Sequence, residues 1–526
     1  MSTNSTFLSF LQFSFTLAHN MHLSFCWEIF LKKILFINPS LRLHSDTKFL
    51  PVGIASVMTF LDERQIDFDF FDIDIDDIED SEIESFLEKN RYDIILSGSI
   101  VTHYKWMKWL CKKVRHFNRK SKIIIGNSVS GSIPELFLKN SDSDFAIIGE
   151  GEVTSYELIM RLLKNEDWSD LHGIAFKDKT GKIKINPKRK SMKKLDDFPM
   201  INWEFFKTER YFEKSYAAAK ALDDKKVRVM PVVTARGCAF RCTFCHFVFW
   251  NDPYRYRSPD HIIAEIKRNI EMYGCNYISF WDDLSFASLP QAERFADAII
   301  DSGLKFYWSA AVRVDLFGNP KNHFQRRIEV AKKFKEAGCM SLGFSLESAN
   351  EKILEMMNKR IHAQYFIDQV KILDEVGITS MISIVFGYPI ETEKSIKETF
   401  DMCLKANIYP SIGYLLPLPE TGMYKYAIDH NYITDENRYL DSITERQDLC
   451  LNMTSLSDDK IRNLIADGAQ ELNESLKLGL KKNTLLKTGG YNKHTQKKKL
   501  KRFKREKNSL ILNYNESEFE TEIIQS

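Results

Sequence analysis

Short apolar runs alternate with amphipathic stretches through the first third of the chain. After Pro51, for example, the apolar residues from Ile54 to Leu61 recur with the period of a helix. Five apolar runs, bounded by Gly, Pro, Asn or Ser, have the length of strands: 33–37, 68–73, 93–96, 122–126 and 145–148. This order predicts an α/β fold with a doubly wound parallel sheet over roughly residues 30–165.

The alternation resumes at Val229 and continues to about residue 430. Helical patterns such as Pro259–Tyr273 and Gln325–Ala337 separate six apolar runs, at 229–234, 277–281, 306–312, 340–346, 379–386 and 412–416. Six βα units in succession predict a partial (β/α)6 barrel of the TIM type rather than an open sheet. Both kinds of parallel sheet bind ligands at the carboxyl ends of their strands.

These patterns divide the chain into six segments. The two α/β domains, 31–165 and 229–430, are joined by a connector, 166–228, that contains a short hairpin, and a helical pattern covers 431–475. Residues 1–30 form a leader with no basic start and no clear cleavage site, so we expect a disordered leader or an extension upstream of a start near Met21, rather than a membrane attachment.

The final segment, 476–526, is basic. Thirteen Lys and Arg but only one acidic residue lie between Lys477 and Lys507. Such a run is typical of a solvated, disordered tail, and a basic arm that touches RNA or another anionic partner is the alternative.

The composition is that of a globular protein with few cysteines. Of 526 residues, 44% are apolar and 28% charged, and the net charge of +2 gives no general excess of positive charge for coating nucleic acid. Nine cysteines, three of them within eight residues, do not form a disulfide framework and predict a reduced, cytoplasmic protein. No run of about 20 apolar residues predicts a transmembrane span.

The three clustered cysteines are the strongest candidates for chemistry. Cys238, Cys242 and Cys245 have the spacing C-x3-C-x2-C on the loop after the first barrel strand. A structural zinc site would need a fourth ligand, for which the adjacent His246 is available. An iron–sulfur cluster bound by three cysteines would instead leave one iron open to a ligand.

This loop resembles that of the radical S-adenosylmethionine superfamily, whose signature is C-x3-C-x-aromatic-C, with Phe244 as the aromatic residue. The resemblance implies a 4Fe–4S cluster on the three cysteines and S-adenosylmethionine on the open iron. It also implies an electron donor of the flavodoxin or ferredoxin type, whose electron starts radical chemistry by cleaving the sulfonium.

Three further residues at predicted strand ends face the same mouth of the barrel. In this superfamily an acid placed like Glu347 typically contacts the ribose or amino end of S-adenosylmethionine; the alternative is a helix N-terminal acid. Arg313 could pair with the methionyl carboxylate or form a surface ion pair. Asp283 ends the second strand. The loop after the sixth strand departs from the superfamily pattern, because Glu420 stands where Gly is expected.

The N-terminal half resembles the cobalamin-binding domain that is joined to a subset of these enzymes. The stretches that carry this resemblance are Pro51-Val52-Gly53, Ser97-Gly98-Ser99 and Gly149-Glu150-Gly151-Glu152. The resemblance implies that Ser97, Ser99, Gly126, Gly149, Glu150 and Gly151 contact the cofactor. The motif D-x-H-x-x-G, which supplies a histidine ligand in other cobalamin enzymes, is missing. The resemblance therefore implies a base-off cobalamin without a histidine ligand.

The resemblance favours a cobalamin-dependent radical methyltransferase that acts on an unactivated carbon of a small-molecule substrate. A radical cyclase or oxidase of the porphyrin-cyclase kind is the first alternative. A methylthiotransferase would need a second cysteine trio in the N-terminal half, which has only Cys26 and Cys111. A decayed fold that acts only as a binding module is disfavoured because all three cluster cysteines are present, and a nucleic-acid substrate is not favoured.

Overall fold

The structure is a computed structural model that describes residues 33–215, 227–246 and 252–486. The predicted leader and most of the predicted basic tail lie outside the described residues. Within the described ranges, no helix is both long enough and apolar enough to cross a membrane.

The first sheet has seven strands in the order β2-β1-β3-β4-β5-β6-β7. Its first five strands are parallel, as the sequence predicts, and β6 and β7 are antiparallel. The hairpin that the sequence placed in the connector therefore extends this sheet. The strands are β1 (Ile34–Asn38), β2 (Asp69–Asp72), β3 (Ile94–Gly98), β4 (Lys122–Gly126), β5 (Phe145–Ile147), β6 (Ile174–Lys177) and β7 (Ile183–Ile185).

Eight helices accompany this sheet in the described part of the N-terminal half. They are α1 (Val52–Asp62), α2 (Ile73–Asp76), α3 (Asp80–Lys89), α4 (Tyr104–Phe117), α5 (Ser128–Gly131), α6 (Pro134–Asn140), α7 (Gly151–Lys164) and, from the connector, α8 (Thr208–Glu213). The strand order 2-1-3-4-5 reverses direction between β1 and β3, which is where sheets of this kind bind ligands.

The second sheet has six strands, all parallel, in the order β15-β14-β13-β12-β11-β8. The six strands that the sequence predicts are these six, and β8 and β15 are its two edges. A separate two-stranded ribbon, β9 (Ala235–Arg236) with β10 (Arg255–Tyr256), lies just before and after the cysteine loop. The six strands are β8 (Val229–Val232), β11 (Tyr277–Phe280), β12 (Tyr307–Ala311), β13 (Cys339–Glu347), β14 (Thr379–Phe386) and β15 (Ser411–Tyr414).

Helices cover one face of this second sheet. The barrel helices are α9 (Pro259–Tyr273), α10 (Leu289–Ser302), α11 (Asp315–Gly318), α12 (Phe324–Glu336), α13 (Glu351–Met356), α14 (Ala363–Val376), α15 (Glu393–Lys405) and α16 (Gly422–Asp429). The C-terminal segment supplies α17 (Glu436–Ser442) and α18 (Asp458–Ser475), and the stretch between these two is not helical. The sequence predicted a continuous helical pattern there.

Large apolar side chains fix which face of the second sheet is turned to the helices. Phe344 of β13 contacts Phe366 of α14, and Phe386 of β14 contacts Phe400 of α15. Because side chains alternate along a strand, their neighbours face the inside of the barrel. The face that is turned to the helices therefore packs into the apolar core, and the opposite, inner face is left to form a site.

The C-terminal segment also contacts the first domain. The hydroxyl of Tyr104 on α4 donates to the side-chain oxygen of Asn437 on α17 at 2.8 Å, and Lys108 pairs with Asp441. Arg42, on the loop after β1, pairs with Glu445. The segment thus lies against the strand-end loops of the first sheet and the edge of the barrel.

Candidate active site

The three-cysteine loop begins at a backbone position that favours glycine. Gly237 has φ of +77°, and a Cβ added there would lie 3.2 Å from the carbonyl oxygen of Pro253. The β9–β10 ribbon brings these two segments together, and Cys238, Cys242 and Cys245 follow, each partly buried. The local fold therefore presents three thiols at the carboxyl end of the first barrel strand.

Burial and mutual proximity raise the pKa values of Cys238 and Cys245. Burial raises the pKa of Cys238, and the neighbouring Cys242 contributes in the same direction. Burial raises the pKa of Cys245 to about 12, with contributions from Cys242, Asp283, Cys238 and Glu347. Three crowded thiols of this kind become stable thiolates only beside a strong positive charge, so the donor set suits a bound metal centre.

Main-chain hydrogen bonds hold the cysteine loop from two sides. The Thr243 amide donates to the carbonyl of Met357 at 2.9 Å, and the Thr243 carbonyl accepts from the amide of Met423 at 2.9 Å. The side-chain amide of Asn358 donates to the Arg241 carbonyl at 2.8 Å. The loop is thereby fixed between the segments that follow β13 and β15.

One ring nitrogen of His246, the residue considered as a zinc ligand, has a hydrogen-bond partner, and the other, Nε2, is buried without one among the described residues. Its Nδ1 lies 2.6 Å from the carbonyl oxygen of Pro419, so this nitrogen carries the proton that it donates. In the described ranges, no three His, Cys, Asp or Glu side chains are grouped closely enough to hold one metal ion. In a cluster, by contrast, each cysteine binds a different iron.

Glu347 ends β13 at an irregular position. The register of β13 on β14 shifts between Ser345 and Glu347, and Glu347 has φ of +64°. A bulge of this kind re-aims the side chain that follows it. The buried carboxylate of Glu347 lies 2.9 Å from the Nζ of Lys359, which is also buried. No role for Lys359 was predicted from the sequence.

Arg313 is turned toward the cysteine loop. Its guanidinium lies 3.5 Å from the ring centroid of Phe240, donates to the Lys359 carbonyl at 2.6 Å, and pairs with Asp315 at 3.1 Å. These contacts occupy its Nη2 and Nε. The structure therefore places Arg313 as a support of the loop, and its predicted contact with a methionyl carboxylate stays a prediction.

Two carboxylates end β11. Asp282 accepts from the amides of Thr234 and Ala235 at 2.8 and 2.9 Å, which fixes the chain just before the cysteine loop. Asp283 is exposed in the mouth. Desolvation by the surrounding protein, with the nearby charge of Asp282, raises the pKa of Asp283 to about 6. Asp283 is thus available to a ligand, whereas Asp282 is structural.

Phe244 packs inside the same mouth. Its ring centroid lies 6.4 Å from that of Tyr388 in an edge-on contact and 5.7 Å from the Nζ of Lys359. Tyr388 is fully buried on the loop after β14. The structure therefore brings together the three cysteines, Phe244, Asp283, Arg313 and Glu347 at one end of the barrel.

The predicted cobalamin residues of β3 and β4 lie at the carboxyl edge of the first sheet. The hydroxyl of Ser97 donates to the Ile37 carbonyl, and that of Ser99 lies 3.0 Å from Nδ1 of His103. A Cβ added at Gly98 would lie 2.9 Å from the carbonyl oxygen of Gly126. The absence of a side chain at Gly98 therefore lets the β3 and β4 ends approach closely.

The turn Gly149-Glu150-Gly151 has a different environment from the other predicted cobalamin residues. The carboxylate of Glu150 pairs with Arg255 at 2.8 Å and with Arg236 at 3.2 Å, and Glu152 pairs with Arg236 at 2.6 Å. Both arginines belong to the β9–β10 ribbon beside the cysteine loop. These partners could not be predicted from the sequence, because the local pattern of the turn contains no signal for a contact with the barrel.

The connector completes this junction. The guanidinium of Arg236 lies 4.4 Å from the ring centroid of Phe198. The Met192 carbonyl accepts from Arg255 at 2.7 Å. The first domain, the connector and the start of the cysteine loop therefore meet at one buried group of charges.

Comparison with known families matches both halves of the chain. The model of the radical SAM superfamily matches residues 232–403, and that of the B12 binding domain matches residues 41–159. The first range contains the whole cysteine loop, and the second contains four of the five parallel strand ends described above.

Among curated proteins, the chain is 27% identical to an uncharacterized methyltransferase of Pyrococcus horikoshii, over 74% of this chain and 80% of that protein. It is 22% identical to the cytidylyl-2-hydroxyethylphosphonate methyltransferase of Streptomyces wedmorensis, over 84% and 90%. It is also 22% identical to the anaerobic magnesium-protoporphyrin IX monomethyl ester cyclase of Rubrivivax gelatinosus, over 77% and 72%.

Solved structures share the fold. The radical S-adenosylmethionine methyltransferase TsrM of Kitasatospora setae superposes with a TM-score of 0.59 at 14% identity, covering 76% of this chain and 78% of that one. The cobalamin-dependent S-adenosylmethionine radical enzyme OxsB superposes with a TM-score of 0.61 at 16% identity, covering 85% and 62%. The chain therefore carries a B12-binding domain followed by a radical SAM domain.

Proposed function

We propose that this protein is a cobalamin-dependent radical S-adenosylmethionine methyltransferase that methylates an unactivated carbon of a small molecule. The observation that carries the proposal is the arrangement of the two sites. The three-cysteine loop at the barrel mouth is joined, through Arg236, to the domain matched by the B12-binding model. Methyltransferases among the relatives support the reaction class.

The residues of the two sites fit the iron–sulfur cluster and the cobalamin that this function needs. Cys238, Cys242 and Cys245 would hold the cluster as thiolates, and the strand ends at Ser99 and Gly126 would border the cobalamin. When bound, the cluster and the cobalamin supply a one-electron reductant and a methyl carrier. The protein's own part is to bind, orient and shield these groups.

The chain's residues near the cysteines perform that shielding and orientation. Phe244 and Tyr388 place aromatic rings beside the thiols, where their apolar surface would limit the access of water. Glu347 is a negatively charged acceptor and Lys359 is a positively charged donor. An amino acid head group, which has an ammonium and a carboxylate, requires one of each. Asp283, with a pKa of about 6, offers a second acceptor at the rim.

We also propose the electron donor and the cellular compartment of the reaction. An electron donor of the flavodoxin or ferredoxin type would reduce the cluster, and the reduced thiols described here suit the cytoplasm. Radical ring closure is the second candidate function, because the Rubrivivax relative is named a cyclase and aligns over 77% of this chain.

The stoichiometry of products tests the proposal. Reconstituted enzyme, reductant, cobalamin and a candidate substrate are incubated, and 5′-deoxyadenosine and S-adenosylhomocysteine are counted. Methyl transfer by this route uses one S-adenosylmethionine for the radical and another as the methyl source, so equal yields are expected. Substrate-dependent 5′-deoxyadenosine without S-adenosylhomocysteine would contradict methyl transfer and favour the cyclase.

A further inference from the structure

The inner face of the barrel is lined by hydroxyls rather than by branched apolar side chains. Closed barrels of this type fill their interior with Val, Ile and Leu. Here the residues that alternate with the helix-facing positions include six serines, Ser279, Ser309, Ser341, Ser345, Ser383 and Ser411. An interior of this composition suits a polar ligand.

Three of these serines form a continuous row across neighbouring strands. Ser345 of β13 is in register with Ser383 of β14, and Ser383 is in register with Ser411 of β15. The hydroxyl oxygens of Ser345 and Ser383 lie 2.8 Å apart. The row starts two residues before Glu347, so it leads from the predicted S-adenosylmethionine site toward the β15 edge.

Arg446 of the C-terminal segment continues this row beyond β15. The Tyr414 amide donates to the Arg446 carbonyl at 2.6 Å, which places residue 446 alongside the edge strand. The Arg446 stem passes over Gly413, where an added Cβ would lie 3.3 Å from its Cγ and Cδ. Its Nη2 then donates to the hydroxyl of Ser411 at 2.8 Å.

The charge of Arg446 has no counter-ion close by. Among the described residues, no carboxylate lies within 4.0 Å of its guanidinium, in contrast to Arg236, Arg255 and Arg257. Burial lowers the pKa of Arg446, and the opposing influence is the more distant Glu347, whose carboxylate is paired with Lys359. A partly buried cation without a partner is costly unless a ligand supplies the negative charge.

We propose that Arg446 and the serine row form a subsite for an anionic group, a carboxylate or phosphoryl, on the substrate. The inference rests on the proposed function and narrows its substrate class. The guanidinium offers a planar pair of donors that matches either anion, and Ser411 fixes its orientation. Gly413 leaves the space through which the side chain reaches the interior.

Calorimetric titration of the full chain tests the subsite without any catalysis. The probes are methylphosphonate, acetate and, as the neutral control, acetamide. The wild type is expected to bind one of the two anions and not acetamide, and the tighter anion identifies the group. Arg446→Gln keeps the stem over Gly413 and should weaken that binding at least about tenfold, whereas Arg446→Lys should retain part of it.

Arg462 provides the matched control, because it is an exposed arginine on α18 of the same segment. Arg462→Gln should bind the anion as the wild type does. Anion binding that is unchanged in Arg446→Gln, an equal loss in both variants, or no anion binding by the wild type would overturn the subsite. A thermal unfolding curve for Arg446→Gln that matches the wild type shows that the variant folds.

Affinity for S-adenosylmethionine separates this inference from the proposed function. If Arg446 serves the substrate, Arg446→Gln should bind S-adenosylmethionine with wild-type affinity, and a selective loss of that affinity would overturn the subsite. Cleavage of S-adenosylmethionine by the wild type tests the proposed function by itself. The anion subsite and the proposed function can therefore fail separately, because a different measurement tests each of them.

Discussion

The guanidinium of Arg236 lies 2.6 Å from the carboxylate of Glu152, and both side chains are largely buried, at 16% and 5% exposure. Arg236 is two residues before Cys238, the first ligand of the predicted cluster, whereas Glu152 belongs to the first domain. The hydroxyl of Ser56 donates to the same carboxylate at 2.6 Å. The position of the cysteine loop is therefore coupled to the cobalamin-type domain by a charge pair inside the protein.

Removing one partner of this pair should destabilise the protein strongly. Arg236→Ala leaves Glu152 buried without its cation, and loss of one partner from a buried pair typically costs about 3–5 kcal/mol. We expect a loss in that range for Arg236→Ala in the free energy of unfolding, measured by urea denaturation. The electron paramagnetic resonance signal of the reconstituted cluster should also change.

An exposed ion pair supplies the control for this prediction. Lys397 and Asp401 lie 2.7 Å apart on the surface of α15. Lys397→Ala should change the free energy of unfolding by no more than about 0.5 kcal/mol. If Arg236→Ala were no more harmful than Lys397→Ala, the coupling described here would be wrong.

Iron content should depend on the three loop cysteines and on no buried cysteine elsewhere. Anaerobically reconstituted wild type should hold about four irons and four sulfides per chain. Cys238→Ala and Cys245→Ala should each lose most of this iron. Cys403, a fully buried residue of α15, is the control, and Cys403→Ala should keep the wild-type iron content. Equal iron in all the variants would contradict the assignment.

Cobalamin bound by the full chain should not use His103 as a ligand. The Nδ1 of His103 faces the hydroxyl of Ser99, and its ring is stacked on Trp106 with centroids 4.7 Å apart. The absorption spectrum with hydroxocobalamin should therefore be that of a base-off form, and His103→Ala should leave the spectrum unchanged. A histidine-ligated spectrum in the wild type that is lost in His103→Ala would refute this prediction.

Stability should respond to pH through Asp72, at the carboxyl end of β2. Its buried carboxyl accepts from Asn38 at 2.7 Å and from Tyr211 of α8 at 2.8 Å, and burial raises its pKa from 3.8 to about 6. Between these values the folded protein holds a proton that the unfolded chain has released. The stability contributed by Asp72 is therefore lost as the pH rises through about 6.

Asp72→Asn removes this titration while keeping the side chain's size. From pH 4 to pH 7, the wild type should lose up to about 3 kcal/mol of unfolding free energy relative to Asp72→Asn. Asp401→Asn, at an exposed carboxylate, is the control and should show a much smaller shift. A difference for Asp72→Asn that is independent of pH would contradict the raised pKa.

The sequence predicted the strands and the cysteine loop because their signals are local. The apolar runs that form β13 and β14 are long and bounded by turns, and three cysteines within eight residues must lie close together whatever the tertiary structure. The hairpin β6–β7 was recognised for the same reason, but its pairing with β5 was not, since that pairing depends on the position of the whole sheet.

The partners of the site residues could not be predicted, because they are distant in the chain. Arg236 and Glu152 are 84 residues apart, and Tyr104 and Asn437 are 333 apart. Glu347 is the last residue of β13, where the sequence placed it, and its contact with S-adenosylmethionine stays a prediction. The register shift that re-aims it, however, arises from the packing of β13 on β14 and has no local sequence signal.

Cleavage of S-adenosylmethionine shows whether the three-cysteine loop holds the cluster that starts radical chemistry. Reconstituted, reduced full-length protein is incubated with S-adenosylmethionine, and 5′-deoxyadenosine is quantified for the wild type, Cys242→Ala and the control Cys403→Ala. We expect 5′-deoxyadenosine from the wild type and from Cys403→Ala, and none from Cys242→Ala. Wild-type cleavage by Cys242→Ala, or no cleavage by wild type that holds its full complement of iron, would contradict this expectation.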